Sequence, residues 1–289
     1  MGKANSSVTR VWPVFDHLLG RDATGRSWLP ELLRLGQPSD AMGEQWKEWP
    51  GELVSEASKF GRAIPGNLRG ILGRDGCARL KSLRGAFEAE FAPPAKFLRW
   101  MIENPHRLTW PKDRGKESAF GEPTQSLRKI LLNGDGEVRA QALQSLEQAG
   151  GAGSRRMWWA FEGWTSVDCW LETDRVIVFI EGKRTEPISN ATDWFPVRNQ
   201  VARNLEVAAE VSRDRGKDFA VIVCAEQPVS LTRAAFDESM PHLDITEREN
   251  LFCHYLGSIT WRQIRDILCP TVELPENVES AIEFCSRLR

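Results

Sequence analysis

Residues 165–183 read TSVDCWLETDRVIVFIEGK, and this stretch decides the architecture. Two strand-like segments, 165–172 and 175–181, follow each other at hairpin-like distance, and the second carries the apolar run Val176-Ile-Val-Phe-Ile180. β-Branched and aromatic residues of this kind suit a buried strand. Glu181 and Lys183 stand at its end, where charge is costly unless it serves a site or reaches water. Side chains at i and i+2 of a strand share a face, so these two project together while Val178 and Ile180 pack on the other side. In a chain with 40 Asp and Glu an acidic-x-Lys tripeptide means little by itself. Its placement carries the meaning: it closes an apolar strand, follows the segment containing Asp168, and precedes an amphipathic helix. With Asp168 across the ladder on the same face, two carboxylates converge beside one ammonium. Paired carboxylates offer hard oxygen ligands to Mg²⁺. The ion polarises a phosphate and acidifies water, and Lys183 can hold that water and offset developing charge.

Working outward, helical stretches at 124–132 and 136–149 run into a Gly-rich stop at 150–153, and residues 156–161 read as a first strand. Downstream, an amphipathic helix from about 196 to 215 sets Val197, Val201, Leu205, Ala208 and Val211 on one face. An apolar strand at 219–224 succeeds it, and 255–261 reads as a strand running into a helix with Thr260 as its N-cap. The order helix, three strands, helix, strand predicts an α/β fold whose last strand is reached by a crossover. Before residue 110 the periodicity is helical, over 11–19, 28–35, 52–60, 68–72, 80–91 and 95–103, with Pro and Gly as breaks. The reading is therefore a mainly helical region over 1–115, a polar linker at 111–121, and a site-bearing domain over 116–289.

Asp168 in the second strand, with Glu181-Gly182-Lys183 ending the third, resembles the PD-(D/E)XK, or restriction-endonuclease-like, superfamily over about residues 118–268. Val167 stands where that signature has proline. The resemblance implies a restriction-endonuclease-like core and Mg²⁺-dependent hydrolysis of phosphodiester bonds, with Mn²⁺ as a substitute ion and DNA as the expected nucleic acid. It assigns catalysis to Asp168, Glu181 and Lys183, and metal binding to Asp168 and Glu181. Many members add an acidic residue from the first strand or preceding helix. Glu162 and Glu147 are the candidates, and Glu162 is preferred because it falls six residues before Asp168. The helix after the site carries Arg198, Asn199, Gln200, Arg203 and Asn204. Of these, Gln200, Arg203 and Arg198 are the expected nucleic-acid contacts. RecB-like branches place Tyr four residues after this Gln, where the present chain has Asn204.

Composition fits that reading. Of the 289 residues, 41% are hydrophobic and 27% charged, a globular balance. No apolar run approaches the roughly 18 residues that span a bilayer. The polar first ten residues show no signal-like stretch, so a cytoplasmic protein without membrane contact is expected. Residues 1–115 hold 18 Lys and Arg against 13 Asp and Glu, whereas 151–289 hold 16 against 22. A basic half beside an acidic one suits a nucleic-acid grip next to a metal centre, or a homodimer or protein partner docking through the N-terminal region. Six scattered cysteines without a C-x-x-C pair read as reduced thiols, and Cys253, His254 and His242 lack zinc-ligand spacing. Twelve Trp accompany a single Tyr, and Trp158, Trp159, Trp164, Trp170 and Trp194 crowd the site region, mostly as core. Two other classes remain open: a non-cleaving nucleic-acid-binding or assembly protein on the same fold, and a hydrolase of another phosphate ester.

Overall fold

The computed structural model describes residues 7–36, 49–54, 78–83, 86–111, 122–183, 187–268 and 274–283. The fold is mixed α/β, with two sheets and helices on both sides of the larger one. Helices α1 (Trp12–Arg21) and α2 (Leu29–Leu35) come first, then strands β1 (Ala78–Leu83) and β2 (Ala86–Phe91). Three helices follow: α3 (Ala95–Glu103), α4 (Glu122–Leu132) and α5 (Gly136–Ala149). The site-bearing stretch supplies β3 (Thr165–Val167), β4 (Cys169–Glu172) and β5 (Val176–Gly182). Beyond it lie α6 (Gln200–Arg215), β6 (Asp218–Ala225), α7 (Arg233–Ser239) and α8 (Ile245–Phe252). The chain closes on β7 (Tyr255–Thr260), α9 (Trp261–Leu268) and α10 (Glu276–Glu283).

The central sheet runs β4-β5-β6-β7, with β4 and β5 antiparallel and β5, β6 and β7 parallel. A second sheet runs β1-β2-β3, antiparallel throughout. The two meet at Asp168, the bend residue between β3 and β4. Alternation along β5 explains why its apolar run is unbroken. Val176, Val178 and Ile180 enter one cluster with Val14, Phe15 and Leu18 of α1, Leu29, Leu32 and Leu33 of α2, and Ile264 of α9. Ile177 and Phe179 enter the opposite cluster with Val201, Leu205 and Ala208 of α6. A strand covered on both faces has no solvent side and needs no polar alternation. A third cluster packs α3, α4 and α5 around Trp159, Phe161, Trp194 and Phe195.

Several expectations are corrected. Residues 80–91, expected as a helix, form β1 and β2, paired Ala78 to Phe91 through Leu83 to Ala86. The segment Ala86-Phe-Glu-Ala-Glu-Phe91 alternates with period two, and β2 finds a second partner in β3. Residues 156–161, expected as the first strand, run through turns and coil, and β2 occupies the place beside β3 instead. The crossover helix begins at Gln200, because the Asn199 side chain accepts from the amides of Val201 and Ala202 and so caps it there. Thr260 does cap α9: its Oγ1 accepts from the Gln263 amide at 3.2 Å, while Gln263 Oε1 accepts from the Thr260 amide at 2.8 Å. Helices α1 and α2, from the expected N-terminal region, share a cluster with the central sheet. Of the helix expected over 52–60, residues 52–54 are extended instead, with Leu53 bridging Thr173, and 55–60 lie outside the described residues, as do the expected helix over 68–72 and residues 112–121 of the expected linker. Among those described, no helix is long and apolar enough to cross a membrane.

Candidate functional site

The end of β5 is held from both sides. The Lys183 amide donates to the Cys224 carbonyl at 2.7 Å, extending the pairing with β6, and the Lys183 carbonyl accepts from Trp261 Nε1 at 2.9 Å. Cys169 stands opposite Ile180, so the register continued by one residue sets Asp168 against Glu181. The bend replaces that ladder step with a side-chain contact, in which the Gly182 amide donates to Asp168 Oδ2 at 2.8 Å. Glycine between Glu181 and Lys183 avoids a side-chain collision. A Cβ at residue 182 would lie 2.1 Å from Val11 Cγ2 and 3.3 Å from Asp168 Oδ2.

The first turn of α6 completes the cluster. Gln200 Nε2 donates to Glu181 Oε1 at 2.7 Å, and Gln200 Oε1 accepts from Lys183 Nζ at 2.8 Å. Lys183 Nζ also lies 2.8 Å from Glu181 Oε1, which closes a three-membered ring of contacts. Asn204, one helical turn on, donates from Nδ2 to Glu181 Oε2 at 3.1 Å and accepts from Thr165 Oγ1 at 3.1 Å. Glu181 is 2% exposed and Lys183 8%, so each charge depends on the other and on the amides for compensation. Asp168 is half-buried and Glu181 buried, and together they make this end of the sheet anionic. Burial, with the Asp168 charge second, pushes the Cys169 thiol well above its ordinary value. Burial also raises Cys224, with Cys169, Asp168 and Glu181 adding to it. Both cysteines are therefore inert neutral thiols.

The structure brings Asp168, Glu181, Lys183 and Gln200 together and takes Glu162 and Arg198 elsewhere. Glu162, expected as a further metal ligand, is 3% exposed and accepts from Arg198 Nε at 2.9 Å and Nη2 at 3.2 Å. Its Oε1 also lies 3.0 Å from Arg203 Nε. Arg198, expected to contact nucleic acid, is fully buried, 3.7 Å over the Phe97 ring and paired with Glu206 as well. A guanidinium fixed between two carboxylates and a ring is a structural strut. Arg203 keeps 19% of its side chain exposed while bridging Glu162 and the Gly163 carbonyl, at 3.1 Å from the latter. Glu147 pairs with Arg99 at 3.1 Å on the outer helices. His242 bonds Glu206 and His254 bonds Asp218, so neither is gathered with Cys253 around an ion. Among the described residues no group of three or more His, Cys, Asp and Glu is arranged to hold a metal. Comparisons of the chain with known protein families, with characterised proteins and with solved structures returned no match.

Sequence reasoning missed three features that shape the site. Thr165 and Asn204 tether Glu181 to α6, the Val11 side chain backs Gly182, and Trp261 pins the Lys183 carbonyl. The only advance signal was glycine inside an otherwise apolar strand, which marks a close approach.

Proposed function

We propose that this chain is a Mg²⁺-dependent nuclease that hydrolyses phosphodiester bonds in DNA, with Asp168, Glu181 and Lys183 as its catalytic residues. The observation that carries the reading is the convergence of Asp168, Glu181 and Lys183 at the end of one sheet, with Gln200 bridging the last two. The strand succession agrees with it: β2, the bent β3–β4 strand and β5 form an antiparallel meander, and α6 crosses over to a parallel β6. That succession is similar to the order of a PD-(D/E)XK core and supports the reading, with α3, α4 and α5 lying between β2 and β3.

The donor set suits Mg²⁺, which takes one or two carboxylates from protein and completes its shell with water and substrate phosphate. Asp168 and Glu181 would hold it, and bound there it supplies electrophilic polarisation of the scissile phosphate. The chain's own groups do the rest. Gln200 and Asn204 fix both oxygens of Glu181, so the carboxylate is oriented before substrate arrives. Lys183 would supply a compact cation to orient the attacking water and offset charge developing on the phosphate.

One observation favours a second reading, a non-cleaving DNA-binding or assembly protein on the same fold. Both Glu181 oxygens already accept from protein donors, as a purely structural carboxylate would. A cleavage assay with Mg²⁺ or Mn²⁺ on linear, circular and single-stranded DNA and on RNA, run beside Lys183→Ala, separates the two. The nuclease reading expects metal-dependent cutting that the variant loses. Intact substrates together with no calorimetric Mn²⁺ binding would establish the second.

A further inference from the structure

A cavity of about 480 Å³ opens one turn along α6 from Gln200, lined by Arg128 of α4, Glu90 of β2, and the loops around 154–164 and 191–194. Its walls carry four arginines, Arg128, Arg155, Arg156 and Arg203, against the carboxylates of Glu90, Glu162 and Asp193. Glu162 is already shared by Arg203 and the buried Arg198 behind it. Arg155 and Arg156 are exposed and form no ion pair among the described residues. Arg128 is 2% exposed, donates to the carbonyls of Met157, Trp158 and Ala160, and lies 4.8 Å over the Trp194 ring and 5.4 Å over that of Phe161. The pocket is thus cationic, with an aromatic wall already rigid. Trp194 meets Phe161 edge-on at 5.0 Å, and the half-buried Trp164 also lines the cavity.

Two further observations point to a ligand. Ser154 lines the cavity at 1% exposure, and its hydroxyl has no hydrogen-bond partner among the described residues, an arrangement folded proteins avoid unless something else satisfies it. Arg156 has φ +60°, the only positive value at a non-glycine position among the described residues. Side-chain-bearing residues are held in that region at a cost, and such strain gathers at binding sites.

We infer that this pocket binds a nucleoside monophosphate unit, the phosphate on Arg155, Arg156 and the Ser154 hydroxyl, and the base against the aromatic wall at Trp164. Inorganic phosphate alone would leave most of the cavity and all of that wall unused, whereas a pocket of this size matches a small organic ligand. A planar base stacks on indole whatever its sequence identity, and guanidinium forks match phosphate oxygens. The inference stands apart from phosphodiester cleavage. The same unit can come from a free mononucleotide or from the phosphorylated end of a strand, and the test distinguishes them.

The measurement is tryptophan-fluorescence titration of the full chain in EDTA, with dTMP, thymidine and phosphate as separate probes, and with oligothymidylates bearing a 5′-phosphate or 5′-hydroxyl. Saturable dTMP binding is expected, at least about tenfold tighter than thymidine or phosphate alone. The double variant Arg155→Ala/Arg156→Ala should lose that binding about tenfold or more with an unchanged melting temperature, and Ser154→Ala should weaken it. Equal preference for the 5′-phosphorylated strand and dTMP marks a free-nucleotide site, and a clear preference for the strand marks an end-binding site. Glu181→Gln should bind dTMP normally. Loss of dTMP binding in that variant, unimpaired binding in the double arginine variant, or no saturation by dTMP overturns the assignment.

Discussion

The backbone amide of Gly182 donates to the carboxylate of Asp168 at 2.8 Å, so the strand carrying Glu181 is tied to the bend between β3 and β4 by a charge-assisted bond. Asp168 thereby has two separable roles, acceptor and anion. Asp168→Asn keeps an acceptor oxygen for Gly182 and removes the charge. It should fold with a loss of no more than about 1.5 kcal/mol, the range of one such bond. It should also bind Mn²⁺ no better than Asp168→Ala, and cleave DNA on the order of 10²-fold or more slowly. Calorimetry and denaturation on the two variants test this, and normal Mn²⁺ binding by Asp168→Asn removes Asp168 from the ligand set.

Lys183 is expected to act on rate more than on metal affinity, since it adds charge compensation without being a ligand. Lys183→Ala should retain Mn²⁺ binding while single-turnover cleavage falls on the order of 10²–10³-fold. It also leaves Glu181 buried without its cation, costing about 3 kcal/mol in urea denaturation. Lys183→Arg should recover stability more than rate, because a planar guanidinium cannot match an ammonium that touches Glu181 and Gln200 at once. Metal binding lost as completely as in Asp168→Ala would refute this division.

Gly182→Ala tests the packing behind the site. Its methyl would fall 2.1 Å from Val11 Cγ2, so the variant should lose about 1–3 kcal/mol by overpacking. Val11→Ala removes the colliding methyl, and the double variant should recover part of the loss. Equal melting curves for Gly182→Ala and the unaltered protein would show that the N-terminal turn yields freely.

Glu210 should contribute a fall in stability as pH rises between about 4.5 and 7. Burial, with Glu206 next and Asp214 adding to it against Arg213, raises its carboxyl from 4.5 to about 7. In that window the folded chain holds a proton the unfolded chain has released, so rising pH favours unfolding, and above about 7 the full cost is present. Glu210→Gln should flatten the dependence and raise the melting temperature at pH 8 relative to pH 5. Unchanged slopes would place the titration elsewhere. Glu206 works oppositely and lower: Arg198 and His242 outweigh its burial and depress its carboxyl, so its stabilisation is lost only in acid, below about 4.5.

The site was legible where chemistry is local. Glu181 and Lys183 could be placed because a buried strand ends on two charges two residues apart, and Gln200 because its helix begins just after that strand. The pairing of Glu162 with Arg198 was not legible because their bond joins residues 36 apart, and a buried ion pair leaves no periodic trace. The small sheet was hidden for a different reason. Leu80, Leu83, Phe87 and Phe91 recur every three or four residues, which imitates a helix, and only pairing with β1 and β3 reveals that period two governs 86–91. The sharing of one core by α1, α2 and the central sheet has no local signature either.

That shared core sets the tempo at which the site can come apart. Five consecutive residues of β5, Val176 to Ile180, are fully shielded on both faces, by α1 and α2 on one side and α6 on the other. Their amide hydrogens should be among the slowest to exchange with solvent deuterium, since uncovering them requires helices to leave both faces of the sheet. Glu181 therefore extends from a slow-exchanging part of the chain, while Asp168 sits at a bend where the ladder is interrupted. One carboxylate is anchored to a strand covered on both faces and the other to a local bend. Breathing of the centre is then expected to move Asp168 more than Glu181.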